Sequence, residues 1–360
     1  MKNLFLILCF ALVFTTSAFA RDAVVDALLI QGKVTEEDIA AAEMEGPNNW
    51  MAKTAYDVYI GGFIQPRLTW IDDGDPETAF DLRRARLAIS GMLGDAWGFV
   101  LQTDFADDAS LVDVGVWYDT GYGAVKLGQF RTPFILENMT SAGQLDTINR
   151  AMITNEVDNR DIGVFWGHEF LEGKLGIQAA MTNGTGTNAT EDNDEKDYYV
   201  RVSGKPFQGT ENPADGLLFA AAYNMGEQAS YDATTGDDLG DFDRDRWVGT
   251  VQWVWNQIKV QGEYIDITED LPIGGSMEAK GWYVLASYDV PLDTMTVVPI
   301  AKYEDLDSDV IGEGGNWLTL GVALGLVGRH DVKVEVNYVI EDLDAGTDVD
   351  ELILQVTANF

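Results

Sequence analysis

From about residue 57 to the end, the chain repeats one pattern, apolar and polar residues in strict alternation. "DVKVEVNYVI" sets Val332, Val334, Val336, Tyr338 and Ile340 against Lys333, Glu335 and Asn337; "AWGFVLQTDF" and "RWVGTVQWVW" do the same, and the chain closes on "LILQVTANF". A period of two with one apolar face belongs to half-buried antiparallel strands and not to helices. About sixteen such segments begin near residues 57, 80, 96, 111, 123, 161, 174, 197, 216, 245, 257, 279, 294, 316, 331 and 350.

The connections between segments say which all-β architecture is expected. Those leaving even-numbered segments are mostly tight ("TGYG", "LEG", "NQ", "PLD", "GRH"). Those leaving odd-numbered ones are mostly long and acidic, including 131–160, 183–196, 226–244, 267–278 and 341–349. A short "ADDAS" and a long "KPFQGTENPAD" break the trend. Short turns at one end and long loops at the other describe a transmembrane antiparallel β-barrel of about sixteen strands over 55–360. A secreted β-sandwich also shows period-two strands. It gives no reason, however, for Trp70, Trp97, Tyr118, Trp166, Trp247, Trp255, Trp282, Tyr288 and Phe360 to fall near segment ends, as the aromatic girdles of a barrel do.

The first twenty residues, with Lys2, an apolar run from Leu4 to Phe14 and small residues before Arg21, have the layout of a secretory signal peptide. Cys9, the one cysteine, lies inside that segment, so a processed chain has no disulfide and no thiolate metal site. Residues 21–54 differ in period. "DAVVDALLIQ" and "TEEDIAAAE" read as two short helices of a periplasmic appendage, with a linker to the barrel. The chain carries 60 acids against 23 bases, a net charge of -37, a surface that repels nucleic acid and other polyanions and makes nucleic acid an unexpected partner. Sixteen of the acids lie in three expected outer loops, 72–79, 226–244 and 341–351, beside one base, Arg244. "DLDAGTDVDE" lacks the spacing of a calcium loop, and no metal or other cofactor is expected.

Three stretches, "FDLRRARLAISG" from Phe80, "KLGQFRTPF" from Lys126 and "NRDIGV" from Asn159, resemble the phosphate-selective porin O/P family of Gram-negative outer membranes. The resemblance implies an outer-membrane channel in contact with lipid and lipopolysaccharide, usually a homotrimer, in which the long segment after the fifth strand folds inward as a constriction loop. Lumenal arginines and lysines would then guide anions such as phosphate. A guanidinium suits that task because it stays charged and offers paired donors to oxyanions.

Strand parity gives the inward bases. With Ile60, Ile64, Leu68 and Trp70 toward lipid, Gln65 and Arg67 face the lumen; with Ala85, Leu87 and Ile89 outward, Arg84 and Arg86 point in and Arg83 points out near the rim. Lys126 and Arg201 come out lumenal. Arg131, Arg150 and Arg160 belong to or flank the constriction loop. Arg84, Arg86 and Arg131 rank first for solute contact. The same parity places Asp104, Asp113, Glu263, Glu304 and Glu335 inside with Lys259, Lys302 and Lys333, so these bases could instead only pair with lumenal acids. A mouth of clustered carboxylates also favours cations, which keeps a cation-preferring general porin open. A further alternative is a structural barrel that sheathes or anchors a partner protein, which would need a wider, emptier bore. Neither His168, read as lipid-facing, nor His330, in a tight turn, offers a catalytic dyad, and no enzyme is expected. Phe360 is expected to serve as the C-terminal aromatic signal for barrel assembly.

Overall fold

The computed structural model describes residues 56–360 except 73–76, 107, 158–159, 232–237, 271–274, 310–313 and 346–347. The expected signal peptide and helical appendage lie outside the described residues. From Tyr56 to Asn359 the chain is a closed antiparallel barrel of sixteen crossing strands. In chain order these are β1 (Tyr56–Ile71), β2 (Thr78–Leu93), β3 (Trp97–Asp104), β4 (Ser110–Asp119), β5 (Ala124–Arg131), β6 (Arg160–Phe170), β7 (Leu175–Thr182), β8 (Asp197–Gly204), β9 (Leu217–Tyr231), β10 (Asp238–Trp255), β11 (Ile258–Asp270), β12 (Ser276–Tyr288), β14 (Thr296–Ser308), β15 (Gly315–Val327), β16 (Val332–Leu343) and β17 (Glu351–Asn359). The two-residue β13 (Val290–Pro291) continues β12 and pairs with β14.

Closure follows from the last segment. β17 pairs with β16 on one side and with β1 on the other, with Trp70 opposite Leu352 and Phe63 opposite Asn359, and the Phe360 backbone exchanges hydrogen bonds with Gly62 (2.9 and 3.0 Å). Every strand therefore has two neighbours, the condition for crossing a hydrocarbon layer in which an unpaired backbone group costs several kcal/mol. Leu352, Leu354 and Val356 point outward while Ile353, Gln355 and Thr357 are buried inside, as the alternation requires. Tyr223, Trp247, Tyr264, Trp282 and Tyr303 form an exposed belt across neighbouring strands. The Trp247 and Tyr264 rings meet tilted at 5.1 Å between centroids, and those of Trp282 and Tyr303 at 5.5 Å. The two-residue turn at Asn256 holds that asparagine at φ 53, the left-handed conformation that two-residue hairpins demand.

All sixteen expected segments are strands, but the long connections are shorter than their sequences suggest. Residues 226–244 are mostly a tall hairpin, with β9 running to Tyr231 and β10 starting at Asp238; likewise β11 and β12 remain paired as far as Asp270 opposite Ser276. Above the lipid both faces of a strand meet water. The apolar alternation therefore stops there while the backbone ladder continues.

The wall is uneven. β3, β5, β7 and β8 have 8 residues each, whereas β9 to β12 have 13 to 18.

Candidate functional site: an arginine-lined passage

The segment from Thr132 to Val157 lies inside the barrel. It carries a four-residue helix, α1 (Leu136–Met139), and 3-10 turns at Ala142–Gln144 and Met152–Glu156. Its apolar residues Phe134, Ile135, Ala151 and Ile153 are buried in one cluster with Tyr199, Val248, Ile265, Tyr283, Val298, Ile300 and Trp317 of the surrounding wall. A water-filled bore has no use for Val248 or Ile265 facing inward, so the apolar inner face of β10 to β15 exists to hold this loop. Burying one isoleucine such as Ile153 contributes about 1.5–3 kcal/mol.

Polar groups of the same wall fasten the loop backbone. Glu263 accepts from the amides of Leu136 (2.8 Å) and Glu137 (3.1 Å), and Glu304 from that of Met152 (2.6 Å). Lys302 donates to the carbonyl of Asn149 (3.2 Å), Lys333 to that of Leu145 (2.6 Å), and Arg201 to that of Phe134. Asp146, between the two 3-10 turns of the loop, is held by Lys259 and Arg329, both at 2.7 Å. Lys302 and Lys333 are also paired with Glu304 (2.8 Å) and Glu335 (2.9 Å). Lys259, Lys302 and Lys333 are thus occupied with structure, and Arg201 on β8, one of the expected solute contacts, is buried against the Phe134 carbonyl.

The opposite side of the bore is open. A cavity of about 600 Å³ is lined by Arg83, Arg84, Arg86, Arg150 and Arg160, with Asp104, Asn138, Asn149, Thr154 and Asn155. Asp104 is tied to Arg86 (2.8 Å), and Arg160 to Asp113 (3.0 Å). Among the described residues, Arg84 donates to the neutral Gln65 (3.1 Å). Arg131 donates to the carbonyl of Met139 (2.6 Å), and Arg150 to those of Glu137 (3.1 Å) and Thr140 (2.8 Å). Among the described residues, Arg84, Arg131 and Arg150 have no carboxylate partner. Their charges are therefore not neutralised by direct ion pairs, and they lie in an enclosed space where field lines are focused and screening is weak.

Arg67 faces the lumen but forms a paired contact with Asp81 (2.8 and 2.9 Å), which leaves little net charge. Lys126 lies over the Phe165 ring at 5.6 Å. The expectation that Arg83 points outward is corrected: it lines the cavity beside Arg84. Gln65 and Arg67 share one face of β1, and they bind Arg84 and Asp81 respectively. These residues are three apart, so the alternation of β2 slips by one residue between them. Strict period-two counting cannot register such a slip, although the apolar pair Phe80 and Leu82, both exposed, marks the other phase.

A second cavity of about 540 Å³ lies toward the tight turns, between Leu136 and Met139 of α1 and the ends of β4 to β9, with Arg201, Gln178 and Ser203 in its lining. His330, in the turn before β16, adds no charge to the bore at neutral pH. Burial, then Lys333 and Arg329, push its pKa down to about 4.

A barrel of sixteen strands with an inward loop and a cationic passage is the anatomy of a porin, and sequence comparison decides which kind. The model of the family described as phosphate-selective porin O and P matches residues 69–297, well over half of the chain. The chain belongs to that family. This porin is accordingly an outer-membrane channel for the passive diffusion of small hydrophilic solutes. In fold it is similar to OmpT of Vibrio cholerae folded in vitro (14% identity, TM-score 0.63, covering 86% of this chain and 98% of that one). It is also similar to the anion-selective porin of Comamonas acidovorans (14%, 0.58, 85% and 100%) and to the outer-membrane channel DcaP of Acinetobacter baumannii (12%, 0.59, 86% and 98%). No curated protein sequence matches this porin at a significant level. The occupied lumen leaves no wide bore of the kind that a sheath for a partner protein needs.

Proposed function

We propose that this porin prefers anions and passes small oxyanions, inorganic phosphate among them, along the Arg84, Arg131 and Arg150 side of the bore. The observation that carries this reading is the contrast in partners. The cavity is lined by five arginines, with Arg131 beside it, while its nearby carboxylates, Asp104 and Asp113, are already in ion pairs. Guanidinium groups held by neutral carbonyl and amide acceptors keep their full charge for a passing anion. The acids of the outer hairpins, such as Asp241, Asp243 and Asp245, are exposed, and salt damps their field within roughly 8 Å.

The wider reading sets the tight turns and residues 21–54 on the periplasmic side and the tall hairpins outside, with lipopolysaccharide against the outer rim. It takes the working unit to be a homotrimer, which fits the fold likeness to a structure of the Vibrio cholerae OmpT trimer (13% identity, TM-score 0.63). Phe360 is read as the assembly signal. The test is planar-bilayer recording under a salt gradient: a reversal potential on the anion side is expected, and one on the cation side rejects the proposal.

A further inference from the structure

The geometry points to Glu263, an acid on the far wall, as a positioning residue that sets the anion preference of the passage. This inference rests on the anion-preferring reading above and names how the wall enforces it.

Glu263 lies on β11 and is buried, with both carboxylate oxygens saturated. One accepts from the Leu136 amide and the Thr250 hydroxyl (both 2.8 Å). The other accepts from the Glu137 amide (3.1 Å) and the Tyr283 hydroxyl (2.7 Å). A carboxylate with four donors has one orientation, and it fixes the first two amides of α1 as a fork. The other end of the same helix carries the carbonyls of Glu137, Met139 and Thr140, and these are the acceptors that aim Arg131 and Arg150. The helix is only four residues long, so it cannot keep its place unaided. Held at one end by Glu263, it works as a short bracket inside the bore, and at its other end its carbonyls position Arg131 and Arg150, of which Arg150 lines the passage.

This role reverses the sign that simple electrostatics gives. Removing a lumenal negative charge should by itself favour anions. If Glu263 acts by placing Arg131 and Arg150, removing its charge should weaken the anion preference.

The experiment compares single-channel reversal potentials in a potassium chloride gradient for wild type, Glu263→Gln, Tyr283→Phe and Glu269→Gln. Glu263→Gln puts an amide nitrogen against one of the two helix amides and opens the fork. Tyr283→Phe removes one donor without touching charge. Glu269 is the control, since its described partner is Arg246 (2.9 Å) and it makes no described contact with the loop. The anion-to-cation permeability ratio is expected to fall about twofold or more in Glu263→Gln and to fall by less in Tyr283→Phe. In Glu269→Gln it should stay level or rise. A ratio that rises in Glu263→Gln as it does in Glu269→Gln, or that is unchanged in both Glu263→Gln and Tyr283→Phe, overturns the inference. Each recorded channel is an assembled one, and Tyr283→Phe carries the test alone if Glu263→Gln does not insert. A cation-preferring wild type would sink the anion reading, while the difference between variant and wild type would still report on positioning.

Discussion

The two sides of this bore carry the same kinds of side chain and use them for opposite ends. On the wall that receives the loop, Lys302 and Lys333 are at most 2% exposed, are paired with Glu304 and Glu335 and donate to loop carbonyls, and the acids Glu263 and Glu304 cap loop amides. Across the lumen, Arg84, Arg131 and Arg150 are half-buried and meet only neutral acceptors. A lumenal base is therefore not a selectivity element by position alone. On the proposed reading, what it touches decides whether its charge reaches the solute.

The comparison can be broken most severely on the fastened side. Ile153→Asp places a carboxylate in the apolar cluster at a cost of several kcal/mol. It should abolish the heat-resistant folded form seen by gel mobility, or yield channels of enlarged, noisy conductance. Next in size is Lys302→Met. It leaves Glu304 buried without its cation, which typically costs about 3–5 kcal/mol, and should lower the thermal midpoint markedly. Removal of Phe360 is expected to act on assembly instead. Less protein should reach the membrane, with the conductance of inserted channels unchanged, and normal membrane levels would refute the assigned role.

On the open side the expectations invert. Arg84→Ala and Arg150→Ala should leave the thermal midpoint close to wild type. Each should lower the anion-to-cation permeability ratio by a few-fold, the scale of a change near 1 kcal/mol. The smallest effect is expected for Arg67→Ala, because Asp81 already neutralises that arginine. A loss of selectivity there as large as in Arg84→Ala would mean that ion pairing does not discriminate between the two groups.

The sequence discloses the barrel well because each crossing strand must alternate to meet lipid on one face, and "DVKVEVNYVI" or "LILQVTANF" can do little else. It discloses strand ends poorly, as with 226–244, because the lipid that imposes the pattern is gone above the rim. Parity recovers the lumenal position of Arg84, Arg86 and Glu263, but it fails for Arg83, where β2 slips by one residue. What parity cannot supply is the partner. That Arg201 is tied to the Phe134 carbonyl and Arg67 to Asp81 depends on how residues 132–157 fold back, and no local spacing encodes that. The inward apolar residues Val248, Ile265 and Ile300 are the trace such a loop leaves in the strands that receive it.

The central claim, that the arginines without carboxylate partners choose the permeant ion, is tested most directly by the reversal potential of single channels in a salt gradient. The wild type should reverse on the anion side and the triple variant Arg84→Ala, Arg131→Ala, Arg150→Ala should lose that preference. Equal reversal potentials for the two, or a cation-preferring wild type, would contradict it.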